Sequence, residues 1–198
     1  MKNSVNSVLL CILSKRAGVS SKSVKSTLIT TLLITIGFPL LSQTPSYQWV
    51  KNIGSTSSNL TSRGLDLAVD GSGNVHVTGF FSGTADFDPG IGTSNITSAG
   101  SNDIFIVKCN ASGNFLWAQA IGGTAAEQVQ AIALDGSGNI YISGTFGGTV
   151  DFDPGTGVTN LISNGPGDAF IAKYTAAGLF SWAFNIGGVG SDFAQDII

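Results

Sequence analysis

One histidine, His76, and two cysteines, Cys11 and Cys109, serve the whole chain, and only 11% of its residues are charged. So little histidine and cysteine leaves no Cys/His spacing for zinc. A Ser-His-Asp centre would have to rest on His76, with no nucleophile elbow nearby, and no glycine-rich phosphate loop is present. Cys11 falls in an N-terminal leader, so Cys109 has no disulfide partner in the body, and the fold must rest on packing or on bound ions. Positive charge is scarce where it would matter. Lys2, Lys15, Arg16, Lys22 and Lys25 precede residue 43, whereas Lys51, Arg63, Lys108 and Lys173 share the rest of the chain with all twelve acids. An acidic body lacks the basic footprint of a nucleic-acid binder. Beyond residue 42 no apolar run is long enough for a transmembrane helix.

The leader itself is informative. Residues 28–41, LITTLLITIGFPLL, follow the basic segment and end at SQTPS. Gly37 and Pro39 interrupt a run already short for a bilayer. Charge followed by such a stretch predicts a signal peptide over residues 1–42 and a secreted or cell-surface protein.

What the sequence does have is glycine, 27 residues of it, and repetition. Asp70-Gly71-Ser72-Gly73-Asn74 returns as Asp135-Gly136-Ser137-Gly138-Asn139, a shift of 65. The same shift carries Asp86 to Asp151, Asp103 to Asp168, Lys108 to Lys173, Cys109 to Tyr174 and Trp117 to Trp182. Residues 66–133 align with residues 131–198 without a gap, and YQWVKNIG at residues 47–54 begins a partial earlier copy. Residues 43–65 therefore form a partial blade, 66–130 a full repeat and 131–198 a second, truncated one. A fixed period of this size marks a repeat architecture.

Each unit reads as strands. NVHVTGFF and NIYISGTF alternate, with residues 65–69 and 130–134 before them, joined through a turn in which Gly and Asn supply positive φ angles. Residues 103–108 and 115–121, with counterparts 168–173 and 180–186, complete four antiparallel strands per repeat. That is the plan of a β-propeller blade, and the expected fold is all-β. One tryptophan per copy (Trp49, Trp117, Trp182) is expected to pack between neighbouring blades. The loop before residue 103 is long enough to hide a short strand, at residues 95–98 and 160–163.

LDGSGNIYISGTFGGTVDFDPGTG, followed by DAFIAKYTAAGLFSWAFNIGG, resembles the bacterial β-propeller repeat family SBBP, with its D-x-S-G-N-x-Y-V-x-G core. The G-G-x-x-x-D-x-A-x-x-I lead-in of that family is matched by residues 187–197; in the earlier copy Glu127 replaces the Asp and Val129 the Ala. The resemblance implies exported propeller repeats and no particular activity. Residues 43–198 amount to 2.4 repeats, whereas a ring needs at least about four blades. The expectation is an N-terminal fragment of a longer protein, with assembly from several short chains as the alternative.

Asp86-Phe87-Asp88-Pro89-Gly90 and its copy Asp151-Phe152-Asp153-Pro154-Gly155 are the candidate site. Asp-x-Asp offers two oxygen ligands to calcium from one loop. Gly90 and Thr97 stand where an EF-hand needs an acid or amide and a Glu, so only a looser site is open, using Asp86 and Asp88, or Asp151 and Asp153, with backbone carbonyls and Asp103. The competing reading is a turn, Pro presetting φ and Asp bonding backbone amides. No catalytic residue is assigned: the paired acids recur in every repeat, and Glu127, opposite Asp192, is not a convincing exception. The expected function is a non-catalytic exported scaffold that binds protein or carbohydrate at a cell surface, with calcium as its sole candidate cofactor. The alternative is part of a secreted propeller enzyme acting on polysaccharide, its catalytic residues elsewhere.

Overall fold

The computed structural model describes residues 49–54 and 61–198; the signal peptide expected over residues 1–42 lies outside them. The first repeat supplies β1 (Ser62–Val69), β2 (Val75–Phe81), β3 (Thr84–Asp86), β4 (Asn95–Thr97), β5 (Asp103–Cys109) and β6 (Phe115–Gly123). The second supplies β7 (Gln128–Leu134), β8 (Ile140–Phe146), β9 (Thr149–Asp151), β10 (Asn160–Ile162), β11 (Asp168–Tyr174) and β12 (Phe180–Ile186). No helix occurs among the described residues, so none there is long and apolar enough to cross a membrane.

Two four-stranded antiparallel blades result, β1-β2-β5-β6 and β7-β8-β11-β12, and among the described residues no sheet closes on itself. The four expected strands per repeat are all present. Each blade also carries a side hairpin in the loop after its second strand, β3 with β4 and β9 with β10. Even the irregularities keep the period. β1 bulges between Gly64 and Asp66, and β7 between Val129 and Ala131. Each bulge presses backbone onto its neighbour: a Cβ on Gly79 would lie 1.9 Å from the Arg63 carbonyl oxygen, and one on Gly144 lies 2.1 Å from that of Gln128. Only glycine fits there.

β5 is buried on both faces, which its near-continuous apolar run DIFIVKC requires. Phe105, Val107 and Cys109 turn toward a cluster with Val75, Val77, Phe81 and Phe87. Ile104 and Ile106 turn the other way, into a second cluster with Ile140, Ile142, Phe146, Phe152, Phe170 and Tyr174 of the next blade. Strand alternation thus gives each blade one face for its predecessor and one for its successor.

Two of the three tryptophans pack between blades as expected, while Trp182 is exposed and stacks on Phe184 of its own strand. Trp49 donates its indole N–H to the Ala111 carbonyl at 3.0 Å and lies against Gly113, in the β5–β6 turn of the following blade. Trp117 lies against Gly178, the equivalent glycine one blade on. The innermost strands are tied separately: the Asp66 carboxylate, at the β1 bulge, accepts the Ile132 amide at 2.9 Å.

Candidate functional site

The Asp-Phe-Asp-Pro-Gly element lies where the side hairpin meets the neighbouring blade. Asp86 ends β3, and its backbone exchanges both hydrogen bonds with Gly54 of the preceding partial copy, at 3.1 and 3.3 Å. One repeat on, Gly122 and Gly123 at the end of β6 pair with Asp151 and Val150 of β9, so a single sheet runs from blade one into the hairpin of blade two. The element is a splice between blades.

Its side chains have distinct tasks. Asp86 accepts the amides of Asp88 and Ser94 on one oxygen, at 3.0 and 2.8 Å. Asp151 does the same with Asp153 and Thr159, at 3.0 and 2.8 Å. Asp88 and Asp153 each accept the amide two residues ahead, Gly90 at 2.7 Å and Gly155 at 2.8 Å, forming the Asx turn that closes the corner. Phe87 and Phe152 are fully buried. Phe152 meets Phe146 edge-on at 5.4 Å and Phe170 at 5.0 Å, and its carbonyl accepts the Tyr174 hydroxyl at 2.9 Å. Burial, together with the charges of Asp153 and Asp151, holds the Tyr174 phenol above its ordinary range.

Asp103, offered by sequence as a further ligand, instead accepts the Ala99 amide at 2.9 Å. Among the described residues no three His, Cys, Asp or Glu side chains gather as a metal-holding group. An ion at either loop would take the remaining oxygens of the two aspartates with backbone carbonyls.

A second polar cluster was not foreseen. In the β1–β2 turn, Asp70 accepts the amides of Ser72 and Asn74 on one oxygen and the Asn74 side-chain amide on the other. That second oxygen also faces Lys108 Nζ at 3.3 Å and His76 Nε2 at 3.5 Å. Burial would raise the Asp70 carboxyl, but the Asn74, Ser72 and Lys108 donors outweigh it and hold the group well below the usual range. Burial and the Lys108 charge push the wholly buried His76 below its ordinary value, although Asp70 opposes them. Lys108 also reaches the Ala176 carbonyl of blade two at 3.3 Å. In the second repeat Tyr141 takes the place of His76. Its hydroxyl donates to Asp135 at 3.3 Å, while Lys173 lies 4.8 Å over its ring. Asn139 and the neighbouring donors lower the Asp135 carboxyl to about 2. The equal shifts of Asp70, Lys108 and Trp117 along the chain were the available signal.

His76 is thus a buried strand side chain edge-on to Trp117 at 6.2 Å, and Cys109 a buried end residue of β5 opposite Val75.

No family model matches the chain. A curated relative, an uncharacterized WD repeat-containing protein of Acanthamoeba polyphaga mimivirus, is 29% identical over 159 residues. The match takes in 68% of this chain but only 11% of that protein, so the chain spans a small part of its relative's length. The likeness is to a repeat protein of the β-propeller type, in keeping with the two blades.

Proposed function

We propose that the chain is part of an exported, non-catalytic β-propeller scaffold of the SBBP kind, presenting its loops to protein or carbohydrate at a cell surface. One observation carries the reading: the aspartates of the turns and outer loops, Asp70 and Asp135, Asp86 and Asp151, Asp88 and Asp153, recur at the same place in the next repeat and are spent on holding backbone. A catalyst needs a constellation that meets one substrate once, and such residues break the repeat. A repeat propeller whose loop aspartates are spent in this way offers a rigid frame whose exposed loops vary, the usual division between scaffold and binding surface. The WD repeat relative is a protein of the same general plan, which favours a scaffold role.

Calcium belongs to this proposal as a stabilising ion. Asp86 with Asp88, and Asp151 with Asp153, would hold it in the outer loops. Removing it with EDTA would then lower the melting temperature, and added calcium would restore it; an unchanged melting temperature together with no calorimetric calcium binding rejects the ion.

The scaffold reading is tested with the secreted full-length protein on panels of surface glycans and host proteins, assayed in parallel for polysaccharide hydrolysis. Saturable binding without turnover is expected. Turnover of a polysaccharide would instead establish the enzyme alternative, with catalytic residues outside residues 1–198.

A further inference from the structure

Two buried acids stand where the chain leaves blade one for blade two. Asp103, at the start of β5, is 3% exposed, and Glu127, just before β7, is 1% exposed. Backbone locks this corner: Asn102 and Ala126 form a parallel bridge, with the Glu127 amide donating to the Asn102 carbonyl at 2.8 Å. Glu127 Oε2 accepts the Gly123 amide at 2.9 Å. The Asp103 carboxylate packs so closely on Gly122 that a Cβ there would lie 2.2 Å from it. One oxygen of each acid, Asp103 Oδ1 and Glu127 Oε1, is buried with no hydrogen-bond partner, as is Oδ1 of Asp168, the equivalent of Asp103 in the second repeat.

The second repeat differs in the donors it gives the other oxygen, Oδ2. Asp168, equivalent to Asp103, accepts the side-chain amides of Asn164 and Asn185, each at 3.1 Å. The first repeat has Ala99 and Ala120 at those positions, so both donors are gone, and it has Glu127 where the second has Asp192. The lengthened acid arrives where two amide donors have been lost. A carboxylate deprived of donors beside a second carboxylate is best stabilised when one of them is neutral.

We infer that Asp103 and Glu127 form a proton-operated latch between the blades, closed while one carboxyl keeps its proton and loosened when both are charged. Burial, against the Gly123 amide and together with the Asp103 charge, pushes the Glu127 carboxyl up to about 7. Burial raises Asp103 as well, against the Ala99 and Gly100 amides. The surrounding backbone, residues 99–102 and 122–126, brings no charged side chain. Asp151, paired through its backbone with Gly122, spends one carboxylate oxygen on its own loop. The acid is neutral in the closed joint, so its contribution is full below pH 4.5, the ordinary value for Glu, and is lost as pH rises through about 7.

Two measurements on the full chain decide it. The Glu127 side-chain carboxyl, followed by carbon-13 NMR, is expected to titrate near pH 7; a midpoint below about 5, the ordinary range, overturns the latch. Denaturation midpoints of wild type and Glu127→Gln are compared from pH 4 to 8.5, so that titration of the distant His76 cancels in the difference. The variant, a permanent stand-in for the neutral acid, should match wild type at pH 4, gain on it as pH rises from 4.5 to about 7, and keep that lead at pH 8.5. Parallel profiles overturn the proposal. So does recovery of wild type at pH 8.5 on adding calcium, which would make the pair a cation site.

Discussion

Phe152→Ala separates the structural reading of the Asp-Phe-Asp-Pro-Gly element from a surface-loop reading. The side chain is fully buried between Phe146 and Phe170. Burying a phenylalanine removes roughly 150–250 Å² from water, which at about 25 cal/mol per Å² is about 4–6 kcal/mol before the denatured chain's own residual burial is allowed for. Measured truncations of this kind fall at about 3–5 kcal/mol, and we expect about 4 kcal/mol here. Against a total stability of roughly 5–15 kcal/mol, that lowers the melting temperature by about 8–16 °C in a body of this size. Urea denaturation read by tryptophan fluorescence measures it. Phe152→Leu, which keeps most of the volume, should lose under about 2 kcal/mol. Val158→Ala, in the same loop but 73% exposed, should stay within about 0.5 kcal/mol. A Phe152→Ala loss below about 1 kcal/mol would refute the claim that this motif is anchored in the core.

Gly178 has φ +83° and faces Trp117, so Gly178→Ala should cost about 1–2 kcal/mol for the left-handed backbone alone. Gly136→Ala, with open space around it, should be neutral or slightly stabilising by calorimetry. Burial and, after it, the Lys108 charge depress His76, and Lys108→Met removes the second; the imidazole signal of the sole histidine should then titrate at higher pH, and an unmoved midpoint would refute the assigned contact. His76 sits below its ordinary value, so its stability contribution is present above pH 6.5 and is lost as pH falls through its folded value. Asp70 and Asp135, held low by their donors, act in the same direction further down, from about pH 4 through 2 for Asp135. Acid denaturation curves of Asp70→Asn and wild type should accordingly converge at low pH.

How far the fold could be read depended on whether a feature repeats locally. Asp70 and Asp135, or Trp117 and Trp182, announce the period by identity, and alternation in residues 75–81 and 140–146 announces the strands. The short strand near residue 95 followed from loop length. Its partner Thr84–Asp86, and the pairing of Gly122–Gly123 with Asp151 and Val150, were not legible, because a three-residue strand has no alternation to read and its partner belongs to another blade. The two weighed readings of Asp86 and Asp88 were visible from composition, yet only the amides of Ser94 and Gly90 tell what the oxygens do. Lys108 reaching Asp70 spans two strands and is silent in one copy alone. The acid pair could have been found by setting the repeats side by side, where Ala99, Ala120 and Glu127 change together against Asn164, Asn185 and Asp192.

The central claim is that the Asp-Phe-Asp-Pro-Gly element splices one blade to the next. Backbone NMR of the full chain tests it at Gly122–Gly123 and Val150–Asp151. The account predicts cross-strand NOEs between these two pairs, with slow amide exchange where β6 meets β9. Absence of those NOEs, with Val150 and Asp151 exchanging as fast as the exposed loop around Ile91, would contradict it.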